Sequence, residues 1–220
     1  LVAAIWCGIV LSGVLAWYAY DLPAIGEIEK MTRRPNVTLL AADGTSLASF
    51  GDRFGATRGL QELPPHLPRA VIAVEDRRFY DHGGIDFRGL LRAVYVNLRE
   101  GRISQGGSTL TQQLAKNLFL TSERTFKRKI QEVMLAYWLE HRFTKDQILT
   151  IYLNRVYLGA GTYGVDAAAR HYFGKPATRV TLYEAALLAG LLKAPSRLNP
   201  SRDPAGADQR ATLVLQTMVE

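Results

Sequence analysis

"FKRKIQEVMLAYWLE", residues 126–140, sets the class of the chain. Its apolar residues fall at spacings of three and four, the period of a helix with one buried face. Arg128 and Lys129 lie within a turn of Glu132 on the same side, and Ala136 and Leu139 continue that side into apolar territory. An acid beside two cations also describes an ordinary surface salt bridge, so the stretch alone leaves its role open. The same period recurs near 69–80, 86–100, 109–120, 123–142, 145–157, 162–172, 181–193 and 208–219. Thr144 with Gln147 has the form of a capping box, and Gly83-Gly84, Gly101, Gly106-Gly107 and Gly174 punctuate the helices. The expected class is mainly α. Residues 21–68 are the exception, a linker and short pre-domain segment with a hairpin expected around Asp43-Gly44 and a loop closed by Pro64, Pro65 and Pro68.

Residues 1–20, "LVAAIWCGIVLSGVLAWYAY", carry no charge. At about 1.5 Å per residue they span roughly 30 Å, the hydrocarbon thickness of a bilayer. Trp17, Tyr18 and Tyr20 have the place of an interfacial aromatic belt. A transmembrane helix is expected here, in preference to an uncleaved signal sequence, because the run is long for the apolar region of a signal and no clean cleavage site follows. The only cysteine, Cys7, lies within this span and forms no intrachain disulfide. The 220 residues suit one domain with a full core, and the net charge of +7 suits nucleic acid, an anionic membrane surface or an anionic substrate. A membrane span favours the last two.

Two further stretches bear on chemistry. In "VEDRRFYDHGG", residues 74–84, Glu75, Phe79 and His82 fall within about 60° of one another on a helical wheel, so the acid shares a face with apolar groups. Such a setting makes Glu75 a candidate general base, although a glutamate paired with Arg77 or Arg78 fits the same pattern. In "GGSTLTQQLAKN", residues 106–117, Ser108 or Thr109 is placed to cap a helix. Thr109, Gln112, Gln113 and Lys116 then form one polar arc, and Leu110, Leu114 and Leu118 another. A neutral hydrogen-bonding arc ending in a cation suits a sugar or phosphate ligand, or simply a solvated face. Two carboxylates far apart in a helical chain suggest work on a glycosidic bond. A pyrophosphate leaves readily if cations or a metal stabilise it, and Lys116, Arg128 and Lys129 fit that case better than a leaving group that must be protonated.

Five ordered stretches carry a resemblance. They are "EDRRFYDHGGID", "GGSTLTQQLAKNLFL", "RKIQEVMLAYWLE", "KDQILTIYLNRVYLGAGTYGVDAAARHYFGK" and "LLAGLLKAPSRLNP". Over residues 69–200 the chain resembles the peptidoglycan glycosyltransferases, family 51, of class A penicillin-binding proteins and monofunctional transglycosylases. The resemblance implies a lysozyme-like, two-lobed helical domain whose smaller lobe dips into the membrane. It implies polymerisation of lipid II into β-1,4-linked glycan strands, with inversion and release of undecaprenyl pyrophosphate. Glu75 resembles the base that takes the acceptor's 4-hydroxyl proton, and Asp76, Phe79 and His82 match residues shaping that site. Glu132 resembles the second essential acid, thought to help hold the pyrophosphate directly or through a divalent metal, Mg2+ or Mn2+. Thr109, Gln113, Lys116 and Asn117 match ligand-contacting positions, Arg128 and Lys129 match the cations near the donor phosphates, and Ser108 and Gln112 join them as candidate substrate contacts.

The expected layout is a membrane span at 1–20, the linker at 21–68, the glycosyltransferase domain at 69–200 and a C-terminal helix at 201–220. That tail ends in mid-helix, which is compatible with a transpeptidase beyond it, and a bifunctional parent of this kind is expected because residues 21–60 before the motifs are more than a bare enzyme needs. In "FRGLLRAVYVNLREG", Arg88, Arg92 and Arg99 share one face and Phe87, Leu91, Val94, Tyr95 and Leu98 cover the rest, as in a helix lying among lipid headgroups, or in a buried helix with one salt-bridged face. Expected partners are lipid II, the growing glycan, the bilayer and proteins of a cell-wall synthesis complex, with no nucleic acid. The expected place is the bacterial cytoplasmic membrane, crossed once, with the catalytic domain outside. A lysozyme-like hydrolase of finished glycan and a membrane-anchored binding protein without turnover are the competing readings.

Overall fold

The structure, a computed structural model, describes residues 37–219 except 45, 102–105, 121, 122 and 124, together with isolated positions between 2 and 18. Most of the membrane span expected at 1–20, and the first third of the linker, 21–36, therefore lie outside the described residues. Among the described residues no helix is long and apolar enough to cross a membrane. The chain is mainly helical, as expected, and divides into two compact units, one containing Gly83–Arg142 and the other Thr32–His82 with Phe143–Glu220.

The second unit opens with the anticipated hairpin. Strand β1 (Val37–Leu40) pairs antiparallel with β2 (Ser46–Phe50), and the turn is closed by Gly44 N–H donating to Ala41 O at 2.9 Å. A two-residue strand β3 (Arg53–Phe54) runs parallel to β4 (Thr162–Tyr163), with the Phe54 and Tyr163 rings stacked 5.3 Å apart. Helix α1 (His66–Glu75) carries Pro68 in its first turn, where no intrahelical N–H is lost, and buries Leu67, Ala70 and Val71. Those residues pack toward α7 (Leu182–Leu191) and α8 (Pro204–Val219). The α7 helix is the centre of this unit: it is apolar on nearly every face, buried from Ala185 to Leu191, and started by a Thr181–Glu184 capping box.

Between them lie α5 (Lys145–Arg155), begun by the predicted Thr144–Gln147 capping box, and α6 (Val165–Phe173). Gly164 precedes α6 at φ 81°, and a Cβ there would stand 2.7 Å from Asn154 O, so no other residue fits without a shift. Buried Asp166 on α6 ties distant segments together. It accepts from Ala56 N at 3.1 Å, Ala177 N at 3.1 Å and Arg170 Nε at 2.8 Å.

The other unit holds α2 (Phe87–Glu100), α3 (Leu110–Phe119) and α4 (Phe126–Arg142). Asp86 caps α2 by accepting from Gly89 N. Helices α3 and α4 pack through Leu110, Leu114, Leu135 and Leu139, with Phe119 edge-on to Trp138. On α2 only Ala93 is buried, while Phe87, Leu90, Leu91, Val94, Tyr95 and Leu98 are exposed. The alternative of a buried helix is thus excluded, and the exposed residues form one stripe because they recur at three and four.

Two expectations change. The helix anticipated over 69–80 ends at Glu75, and residues 79–81 form a separate single turn of 3-10 helix. Asp76 leaves the helical region at φ −159°, so Glu75, Phe79 and His82 do not share one helix face. The pattern anticipated over 162–172 begins instead with β4, and its helix starts at Val165.

Candidate functional site

In the unit of α1, Glu75 is the last helical residue and is half-buried. The chain turns immediately beyond it because Asp76 reaches forward to His82. His82 Nε2 lies 2.9 Å from Oδ1 and 3.1 Å from Oδ2 of Asp76, and both side chains are buried. A carboxylate only accepts, so Nε2 carries the proton. Phe79 is fully buried within this turn, edge-on to the His82 ring at 6.5 Å between centroids. The turn is strapped to the start of α5 by two contacts: Tyr80 Oη donates to Asp146 Oδ1 at 2.9 Å, and Lys145 Nζ stands 4.5 Å from the Phe79 ring centroid. Tyr152, also on α5, is 1% exposed. Burial first, and the charge of Glu75 second, hold its phenol protonated well above the usual phenol range.

In the unit of α4, Glu132 is nearly buried, with 5% of its side chain exposed, and each oxygen has a cation. Arg128 Nη1 donates to Oε1 at 2.6 Å and Lys129 Nζ to Oε2 at 3.0 Å. Lys129 also donates to Ser108 Oγ at 2.7 Å and Gln112 Oε1 at 2.9 Å. Thr109, rather than Ser108, caps α3: its hydroxyl accepts from Gln112 N and donates to Gly84 O at 2.7 Å. Gly84 sits at φ +84°, where a Cβ would approach Glu140 Cγ to 3.2 Å and Ala136 O to 3.3 Å. Glycine lets the chain come this close to α4 and present its carbonyl to α3.

The predicted residues thus fall into two groups. Glu75, Asp76, Phe79 and His82 gather in one unit; Ser108, Thr109, Gln112, Arg128, Lys129 and Glu132 gather in the other. The polar arc expected on α3 is split. Thr109 and Gln112 turn inward, 2% and 3% exposed, and spend their hydrogen bonds within the unit, while Gln113 and Lys116 are half-buried and Asn117 is exposed. Tyr80, Lys145, Asp146 and the Gly84 carbonyl are not singled out by the sequence pattern. Asn154 is scaffold: its side chain accepts from Arg58 N and donates to Arg58 O and the Thr150 carbonyl.

The expected metal position was Glu132. With both oxygens already bonded by cations, it is poorly placed to act as a lone ligand. Among the described residues no group of three or more His, Cys, Asp or Glu side chains could hold a metal ion. The described residues do not fit a metal caged by protein ligands.

A family model described as transglycosylase matches residues 43–219. The chain belongs to the transglycosylase family. Among relatives of this transglycosylase, penicillin-binding protein 1A of Escherichia coli K12 is 43% identical over 224 residues, covering 100% of this chain and 26% of its own. Penicillin-binding protein 1A of Aquifex aeolicus is 55% identical over 200 residues, covering 91% of this chain and 28% of its own. The chain therefore spans little more than a quarter of these relatives. The 2.6 Å crystal structure of penicillin-binding protein 1A from Haemophilus influenzae matches 85% of this transglycosylase with TM-score 0.50 and 25% identity, over 18% of that chain.

Proposed function

We propose that this transglycosylase is the glycosyltransferase part of a class A penicillin-binding protein, a lysozyme-like domain that polymerises lipid II into β-1,4-linked glycan for the bacterial cell wall. In this reading the Glu75 carboxylate takes the proton from the acceptor's 4-hydroxyl, and that oxygen attacks the donor's anomeric carbon from the face opposite the pyrophosphate. The anomeric C–O bond breaks, and undecaprenyl pyrophosphate departs as an anion with the configuration inverted. The observation carrying this choice of reaction is the pairing of Arg128 and Lys129 on one nearly buried carboxylate. It supplies fixed positive charge for a leaving pyrophosphate, whereas a hydrolase would need a protonated acid and no cation cluster.

Glu132 serves in this reading as the counter-charge that holds both cations. The remaining residues matched by resemblance, Asp76, Phe79, His82, Thr109, Gln113, Lys116 and Asn117, complete the acceptor and donor surroundings, with Ser108 as a further candidate contact. A divalent cation, Mg2+ or Mn2+, is proposed to arrive with the substrate's pyrophosphate. The exposed apolar stripe of α2, flanked by Arg88, Arg92 and Arg99, supports attachment to an anionic membrane surface, the source of a lipid-linked substrate. A single-pass anchor in the cytoplasmic membrane, an outward-facing domain and partners in a cell-wall synthesis complex belong to the same proposal.

The test follows fluorescent lipid II with detergent-solubilised protein and a divalent cation, comparing wild type with Glu75→Gln. Polymer from wild type and none from the folded variant is the expected result. Cleavage of preformed glycan without polymer would move the protein to the hydrolase class, and inactivity toward both would point to binding without turnover.

A further inference from the structure

Lys129 has three ammonium protons and three acceptors, on Ser108, Gln112 and Glu132, within 3.0 Å. Two of these are expected of a cation near an acid and a hydroxyl. The third is an amide that is 3% exposed and bonded on both sides. Gln112 Oε1 accepts from Lys129 Nζ at 2.9 Å, and Gln112 Nε2 donates to Gly84 O at 3.3 Å. The amide has only one workable orientation, since an ammonium only donates and a carbonyl only accepts. Gly84 O receives a second bond from Thr109, so both its lone pairs are used. Asparagine is too short for this span, and glutamate at neutral pH has no donor for the carbonyl.

We infer that Gln112 is a positioning residue of the transferase, tying the Lys129 ammonium to the Gly84 carbonyl so that the cation stands in place before an anionic leaving group arrives. Charge fixed in advance needs no rearrangement when the transition state forms, and its worth rises as water is excluded. Gln112 thereby acts through Lys129 rather than on the substrate. This deepens the proposed function and rests on it. Among the described residues the charge bonded to the amide is Lys129, which links it to Glu132 and through that to Arg128, all on α4, while Glu140 on the same helix is engaged by Thr111.

The experiment uses the full chain in detergent with Gln112→Ala and Gln112→Glu. Competitive acetylation of Lys129, read by mass spectrometry against exposed Lys193, reports the bond directly. Gln112→Ala should raise Lys129 labelling about fivefold and lower kcat on lipid II about tenfold, with a smaller change in KM, as expected for one lost charge-assisted hydrogen bond. In Gln112→Glu the rate relative to wild type should climb as pH falls, because the protonated carboxyl regains an O–H donor for Gly84 O while its carbonyl still accepts from Lys129. A merely structural role would not produce that recovery. Wild-type labelling and kcat in folded Gln112→Ala would overturn the inference, as would a pH-independent ratio for Gln112→Glu. If Gln112→Ala fails to fold, the pH ratio decides. If wild type does not polymerise lipid II, the function fails while the labelling still tests the positioning.

Discussion

One imidazole N–H of His82 spans both oxygens of Asp76, at 2.9 and 3.1 Å, within six residues of chain. That pair closes the turn directly after Glu75 and fixes how the chain leaves α1. Asp76→Asn keeps the shape but removes the charge that the buried His82 N–H addresses. It should cost about 2 kcal/mol of stability, read as a lowered midpoint in thermal or urea unfolding. Lipid II polymerisation should fall together with it. Unchanged unfolding would mean the pair contributes no net stability.

Glu132→Gln should leave Arg128 and Lys129 with a neutral partner in place of a carboxylate. Inorganic pyrophosphate should bind several-fold more tightly by calorimetry, whereas kcat should fall about tenfold or more because the cations lose their fixed geometry. The Mg2+ concentration for half-maximal rate should stay that of wild type. A large shift in that concentration would make Glu132 a metal ligand after all.

Asp166 sets an acid limit on the unit of α1. Burial alone would raise its carboxyl, but the Arg170 hydrogen bond, the N–H groups of Ala177 and Ala56 and the Arg170 charge together carry it below the ordinary aspartate value. A depressed folded value means that its stabilisation is fully present above the unfolded value of about 3.9 and is lost as pH falls through the folded one. Asp166→Asn should cost about 3 kcal/mol at pH 7, since it leaves the Arg170 bond and two N–H groups poorly answered. The difference from wild type should shrink below about pH 4, as followed by urea unfolding at each pH.

The α2 stripe gives a membrane prediction. Leu91→Glu and Leu98→Glu remove exposed leucines without touching a buried contact. Each should weaken flotation with anionic phospholipid vesicles about tenfold, from about 1.5 kcal/mol of apolar transfer per leucine. Equal flotation for both variants and wild type would remove α2 from the membrane contact.

What could be read in advance was local. The helices announce themselves by period, and the Glu132 cluster by spacings of three and four along one helix. Capping boxes at Thr144 and the hairpin at Asp43-Gly44 are likewise short-range. The helix end at Glu75 was not legible because Phe79, four residues on, suits a helix face and a buried 3-10 turn equally well. The inward turn of Gln112 depends on a carbonyl 28 residues earlier, which no periodicity encodes. Strands β3 and β4 have two residues each, too few to show alternation.

The Asp166 knot also has a consequence in time. The chain leaves one unit at His82 and returns to it at Phe143, and helices α2 to α4 all come from the single stretch between. Ala56 N–H finds its acceptor 110 residues later. At a synthesis rate of about 5–20 residues per second, that donor waits about 5–20 s on the ribosome before its partner emerges. The inserted helices are complete well before then. Nascent chains should therefore gain protease resistance first around α2 to α4, and only afterwards around the first strands, reversing the order in which the two were made.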